Sequence, residues 1–318
     1  MGKEAGKIFV FSGSSEISVR KQWSKRGCFM EKQKRAAAIH DISGLGRCSL
    51  TVILPILSAA GIETGVLPTA FLSTHTGGLP GYTCRDLTAD MMPAARQWKN
   101  LGLHFDALYS GFLGSFEQIS IVSEIFRMLK SPDTLVLVDP VFADHGRLYA
   151  TCTPQMAQGM RELCKSADII VPNMTEASYL LGREYREGPY KRGFVEETLR
   201  ALTDLGPRSA VITGVSFEPG QLGAAGYDSV SNCFCDSFFP RVDGAYPGTG
   251  DIFASVLLAA LMNGDSLSKA IGAAVSFTGD AIRRTWIAGT DSRYGVNFEY
   301  GLSKLPHLLE IPQKNWEL

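Results

Sequence analysis

Gly248-Thr249-Gly250-Asp251 runs directly into Ile252-Phe253-Ala254-Ser255-Val256-Leu257-Leu258-Ala259-Ala260-Leu261, so a glycine turn delivers an acid to the mouth of an apolar helix. Glycines tolerate the dihedrals that turn several backbone N–H groups toward one point, and a helix N-terminus adds roughly half a positive charge there. These features suit an anion hole for a migrating phosphoryl group. Gly248, Thr249 and Gly250 would offer donors to its oxygens while Asp251 takes a proton from the acceptor hydroxyl. The plainer reading of the same residues is an aspartate that caps a helix after a glycine turn. The rest of the chain favours the chemical reading.

Partners for Asp251 must be carried to it by the elements upstream. From Ala36 onward, short apolar runs alternate with amphipathic stretches, the pattern of parallel strands joined by crossover helices. Strands are predicted at Ala36–His40, Thr64–Ala70, Asp106–Ser110, Thr134–Asp139, Asp168–Val171 and Arg208–Thr213. Helices are predicted at Ser49–Ala60, 84–98, 115–130, 153–165, 174–182 and 194–204. Beyond Thr213 the rhythm changes to two antiparallel strands, 221–227 and 230–237, followed by helices 251–262 and 266–285. The expected fold is α/β: a doubly wound, mainly parallel central sheet flanked by helices, in a single domain over residues 36–318.

In open sheets of this kind, ligands bind beyond the carboxyl ends of the strands. Those ends read His40-Asp41-Ile42-Ser43, Ser73-Thr74-His75-Thr76, Tyr109-Ser110-Gly111-Phe112, Val138-Asp139-Pro140, Pro172-Asn173-Met174-Thr175-Glu176 and Thr213-Gly214. Singly, each has an ordinary explanation: Asp139-Pro140 as a strand exit, Asn173 with Glu176 as a capping pair, His75 as a backbone-bonding side chain. Converging on the Gly-Thr-Gly-Asp turn, they describe a nucleotide site, and the hard oxygens of Asp139 and Glu176 suit magnesium. Two other nucleotide motifs fare worse. No Gly-x-x-x-x-Gly-Lys-Ser/Thr occurs, which argues against a P-loop. Gly44-Leu45-Gly46-Arg47-Cys48-Ser49 imitates a dinucleotide fingerprint but lacks its third glycine, and the nearby acid, Glu63, precedes the second strand instead of ending it.

The chain has 318 residues, 45% hydrophobic and 20% charged, with a formal net charge of -1; this suits a soluble globular protein with a large core and gives nucleic acid no basic footprint. The longest apolar run, after Asp251, is roughly half the ~20 residues needed to cross a bilayer and reads as a buried helix, so no membrane partner is expected. Seven scattered cysteines without a Cys-x-x-Cys fit reduced thiols in the cytoplasm. Residues 1–35 form a basic, poorly ordered N-terminal extension in this reading, with Met30 as an alternative start.

On these residues the chain resembles the pyridoxal kinase branch of the ribokinase-like superfamily over roughly residues 36–300. Gly248-Thr249-Gly250-Asp251, Asp139-Pro140 and Pro172-Asn173-Met174-Thr175-Glu176 match superfamily-wide elements, while Ser73-Thr74-His75-Thr76 and Ser110-Gly111-Phe112-Leu113-Gly114-Ser115 match segments of pyridoxal kinases. The resemblance implies ATP-dependent phosphorylation of the 5'-hydroxymethyl group of pyridoxal, pyridoxine or pyridoxamine, with magnesium, a monovalent cation such as potassium, and a homodimer. It assigns Asp251 as general base and the amides of Gly248, Thr249 and Gly250 as the anion hole. Asp139 and Glu176 would serve the metal; these two with Asn173, Thr213, Gly214, Arg241 and Val242 would serve the nucleotide. Asp41, Ser43, His75, Thr76 and Phe112 would line the substrate pocket. Gly250 is expected to be intolerant of larger residues. The chain departs from the family's pattern at Asp41, where many members carry serine, and at Phe112, where tyrosine is frequent. The main rival is a hydroxymethylpyrimidine kinase of the same fold; an NAD-binding oxidoreductase and a catalytically silent metabolite-binding protein stand further off.

Overall fold

The computed structural model describes residues 32–311, of which 34–311 belong to one compact unit. In chain order it runs β1 (Arg35–Ser43), α1 (Leu50–Ala59), β2 (Glu63–Leu72), β3 (Cys84–Asp86), α2 (Thr88–Asn100), β4 (Ala107–Ser110), α3 (Phe116–Leu129) and β5 (Leu135–Val138). There follow β6 (Ala143–Asp144), β7 (Arg147–Leu148), α4 (Pro154–Lys165), β8 (Ile169–Ile170), α5 (Met174–Leu181), α6 (Arg192–Thr203) and β9 (Ser209–Val215). The chain continues through β10 (Gln221–Asp228), β11 (Cys233–Pro240), α7 (Thr249–Met262), α8 (Leu267–Ile287), 3-10 turns at Ser292–Tyr294 and Glu299–Lys304, and α9 (Leu305–Leu308).

The main sheet has nine strands in the order β11-β10-β9-β8-β5-β4-β1-β2-β3. From β9 to β2 every pairing is parallel, whereas β3, β10 and β11 are antiparallel to their neighbours. Central strands of such a sheet are covered on both faces, which is why Ala36-Ala37-Ala38-Ile39 is apolar without alternation and fully buried. One face packs residues of α1, α7 and α8, the other residues of α2 to α6, giving the doubly wound arrangement expected from the alternation. α7 is buried all round from Ile252 to Ala260, as its lack of a polar stripe requires of a helix packed in a core. Among the described residues no helix is long and apolar enough to cross a membrane.

The topology locates the cleft. After β1 the chain turns to β2 on one side, and after β2 and β3 it returns to β4 on the other side of β1, moving on outward to β5, β8 and β9. The connections that follow β1 and β4 therefore diverge in opposite directions, leaving a crevice between their carboxyl ends, Asp41–Ser43 and Gly111–Phe112.

The elements depart from the sequence reading in four places. Residues 84–86, predicted helical, pair antiparallel with Ala70–Leu72 at the sheet edge, and the helix begins only at Thr88, whose N–H is taken by the Asp86 carboxylate at 2.8 Å. The hairpin of β6 and β7, turning at His145 and Gly146 with φ of 49° and 76°, carries too few residues for a periodicity signal. The helices after Ser292 were likewise unmarked. α7 starts at Thr249 instead of Asp251, because Gly248 adopts a left-handed conformation and caps it. Of the expected N-terminal extension, residues 1–31 lie outside the described ones; Lys34 donates from Nζ to the Met262 carbonyl and Arg35 opens β1.

Candidate active site

The turn before α7 is built around Gly248. Its φ of 80° is open to glycine, and a Cβ there would stand 1.9 Å from the Arg47 carbonyl oxygen. Thr249 closes the turn by donating its hydroxyl to the Tyr246 carbonyl at 2.9 Å. The first helical bond runs from Ile252 N–H to Gly248 at 3.1 Å, so the N–H groups of Thr249, Gly250 and Asp251 point out of the helix mouth without intrahelical acceptors. Gly250 differs from its neighbour: nothing lies within 4 Å of a Cβ added there. The expected intolerance of Gly250 thus has no source in the protein's own packing, and the steric requirement falls on Gly248.

Asp251 is no cap. Its carboxylate reaches across to α1 and accepts the Ser49 N–H at 2.8 Å. Ser49 presents that N–H from a backbone with φ 53° and ψ -132°, a conformation L-residues seldom adopt. The same residue's hydroxyl donates to the Asp41 carboxylate at 2.7 Å. Burial pushes the Asp251 carboxyl up to about 7, the Ser49 N–H opposing and the Asp41 charge adding to the rise. Asp41, 5% exposed, is raised by the same desolvation, with the Ser49 hydroxyl opposing. A base that titrates near neutrality, with outward-facing N–H donors beside it, matches what proton abstraction during phosphoryl transfer needs.

On the far side of the cleft stand Asp139, after β5, and Glu176, in the first turn of α5. Burial, then the Asp251 charge, raises Asp139; burial, then the Asp139 charge, raises Glu176. Glu176 and Asn173 form the reciprocal capping box that the sequence offered as the ordinary explanation: Asn173 N–H donates to Glu176 at 2.8 Å and Glu176 N–H to Asn173 Oδ1 at 2.9 Å. The Asn173 amide also donates to the Ala143 carbonyl at 2.8 Å, and Glu176 takes the Phe142 N–H at 3.2 Å. These side chains therefore shape the loop and keep only spare lone pairs for a ligand. Asn173→Ala is expected to lower the unfolding free energy by about 1–2 kcal/mol, read as a lower urea midpoint; an unchanged midpoint would deny the cap its structural share.

Asp139 is different, since no hydrogen bond from the described residues acts on its carboxylate. Two buried carboxylates, Asp139 raising Glu176 and itself without a hydrogen-bond partner among the described residues, fit a hard divalent cation. Among the described residues no three His, Cys, Asp or Glu side chains converge to cage a metal, so phosphate oxygens and water would complete its shell. Thr213 lies beside Asn173 through a parallel bridge, and its N–H donates to the Pro172 carbonyl at 3.0 Å; Gly214 follows it, exposed. Arg241 and Val242 sit just past β11, with the exposed Arg241 guanidinium 3.6 Å from Asp243.

The substrate-side residues divide. Asp41 and Ser43 end β1 at the crevice, and Phe112 follows β4, half-buried. His75 is occupied: Nδ1 accepts the Gly77 N–H at 3.0 Å, leaving Nε2–H to donate to the Arg293 carbonyl at 2.6 Å. Its nitrogens thus bond backbone, as the plainer reading held, and they clasp loop 73–78 to loop 291–295. Thr76 is exposed beside it. Sequence reading missed Ser49, whose role depends on a dihedral no pattern reports, and the loop 291–295. It also missed the fit of Gly111 against His40, whose buried ring lies 2.4 Å from where a Gly111 Cβ would be. A glycine directly after a strand was the available signal for that contact.

The model of a family described as phosphomethylpyrimidine kinase matches residues 80–295. The chain is 32% identical over 267 residues to the pyridoxine/pyridoxal/pyridoxamine kinase of Bordetella avium, across 76% of this chain and 82% of that protein. A Bacteroides thetaiotaomicron crystal structure, provisionally named a phosphomethylpyrimidine kinase and containing pyridoxal, superimposes with a TM-score of 0.82 at 41% identity, covering 89% of this chain and 98% of that one. The pyridoxal kinase of Lactobacillus plantarum superimposes with a TM-score of 0.80 at 31% identity, covering 88% and 99%.

Proposed function

Because the chain belongs to the phosphomethylpyrimidine kinase family and, within the ribokinase-like superfamily, to its pyridoxal kinases, we propose that it transfers the γ-phosphoryl group of ATP to the 5'-hydroxyl of vitamin B6 vitamers. The observation that carries this reading is Asp251, half-buried at the mouth of α7, held by the Ser49 N–H and flanked by the free donors of Thr249 and Gly250. In the step itself, the 5'-oxygen attacks the γ-phosphorus and gives its proton to Asp251. The new O–P bond forms as the bond to the β-phosphate oxygen breaks, and ADP departs. N–H groups at the helix mouth stabilise charge on the transferring oxygens, a role worth about 10²–10³ in rate per donor in comparable sites.

Magnesium, when bound with ATP, supplies neutralisation of phosphate charge. Asp139 and Glu176 would hold it, directly or through water, and no Lys or Arg figures among the charges acting on them. Asn173, Thr213, Gly214, Arg241 and Val242 are proposed as the nucleotide's surroundings, and Asp41, Ser43, His75, Thr76 and Phe112 as those of the substrate. We further propose a cytoplasmic homodimer, supported by family membership and by six described cysteines that are all free thiols.

Purified protein should consume ATP only with magnesium and only with an acceptor present. The assay offers pyridoxal, pyridoxine, pyridoxamine and hydroxymethylpyrimidine, with and without potassium, and identifies products by mass. A B6 5'-phosphate is the expected result. Exclusive turnover of the pyrimidine would move the protein to the rival substrate, and no turnover of any of the four would overturn the proposal.

A further inference from the structure

We propose that Asp41 is the specificity-determining residue of this site, and that it selects acceptors bearing an ammonium or similar N–H donor on the ring carbon next to the one that carries the reacting hydroxymethyl group. The inference rests on the kinase reading above and deepens it.

Its basis is the link through Ser49. One residue gives its N–H to Asp251 and its hydroxyl to Asp41, so the two carboxylates are held about one residue's width apart at the carboxyl end of β1. Substituents on neighbouring carbons of a six-membered ring are spaced on the same scale. In the proposed pose the acceptor's hydroxymethyl lies at Asp251 and the adjoining substituent faces Asp41.

Asp41 meets that substituent with no Lys or Arg beside it. The Asp41 charge acts on Asp251 and His75 acts on Asp41, and neither acid has a Lys or Arg against it. Both His75 nitrogens are committed to backbone, Nδ1 to the Gly77 N–H and Nε2 to the Arg293 carbonyl. Nearby Cys48 has its thiol raised by burial and by the two acids, so it stays uncharged. With Asp41 only 5% exposed, water compensates it poorly, and a buried carboxylate left without a cation is costly. Ser49 satisfies one oxygen of the group. An aminomethyl ammonium offers the rest both charge and hydrogen bonds. A hydroxymethyl offers one neutral hydrogen bond, and an aldehyde sets a lone pair against a lone pair. Discrimination thus comes from attraction to the amine and repulsion of the aldehyde.

The test compares kcat/KM for pyridoxamine, pyridoxine and pyridoxal in the wild type, Asp41→Asn and Asp41→Ser, together with their dissociation constants measured by calorimetry without ATP. The wild type should favour pyridoxamine over pyridoxal by about ten- to a hundredfold, the span of one charge-assisted hydrogen bond, and the variants should lose at least tenfold of that ratio, mainly through KM. Equal kcat/KM for the three vitamers, or a ratio kept in Asp41→Asn, would overturn the proposal and leave the kinase reading intact. Absence of any phosphorylated product would overturn the kinase reading, while calorimetry would still decide whether Asp41 selects the amine. If the variants do not fold, the wild-type affinities alone decide: no preference for the amine refutes the inference.

Discussion

Asp251→Asn is expected to lower kcat by about 10²–10⁴, the usual share of a positioned general base, while ATP binding stays nearly intact. Asparagine keeps the shape and can still accept the Ser49 N–H, so the loss isolates the proton transfer. The same substitution should make the protein more stable at neutral pH. In the folded chain the Asp251 carboxyl sits at about 7 against an ordinary 3.8, so the folded state holds this proton more tightly than the unfolded one. Stability therefore falls as pH rises from about 4 to about 7, and the full cost of the buried charge persists above that. The gain in Tm from Asp251→Asn should be greatest above pH 7 and vanish near pH 4. For the wild type, kcat/KM should decline below about pH 7 as the base becomes protonated. Wild-type-like turnover in the variant would remove Asp251 from the base role.

Gly248→Ala should come close to that loss by a different route. Its Cβ would fall 1.9 Å from the Arg47 carbonyl oxygen and 3.2 Å from Cys48 Sγ, so the turn must shift and carry the Thr249 and Gly250 donors with it. A fall in kcat of about 10²–10³ is expected, as for the loss of one anion-hole donor. Strain at a left-handed backbone adds a stability loss of about 1–3 kcal/mol. Gly250→Ala is the control, since its Cβ meets nothing and should cost no stability. If Gly250→Ala nonetheless slows turnover, the phosphate's approach, not protein packing, requires the glycine. Full activity in Gly248→Ala would mean the donors do not converge on the reacting phosphate.

Much of the architecture was legible because it rests on local periodicity. Ala36–Ile39 is apolar without alternation because both sheet faces are covered, and Ile252–Leu261 is apolar without a stripe because α7 is buried all round. The capping box at Asn173 and Glu176 was legible for the same reason, since its two partners lie three residues apart. Where range was too short, pattern failed: β3 takes its conformation from pairing with Ala70–Leu72, and β6 and β7 have two residues each.

What the sequence determined by itself is the inventory of chemistry and the edge of the sheet on which it gathers: an acid after a glycine turn, a further acid or amide ending each of several strands, and no P-loop. Which groups are free to act was decided only in three dimensions. Ser49, already bonded to Asp41, reaches Asp251 across 202 residues of chain, His75 surrenders both nitrogens to backbone, and Gly248 rather than Gly250 bears the steric constraint. The physical reason is that residue type sets what a group can donate or accept. Burial, dihedral and distant partners set whether that capacity is still unspent and at what pH it is available.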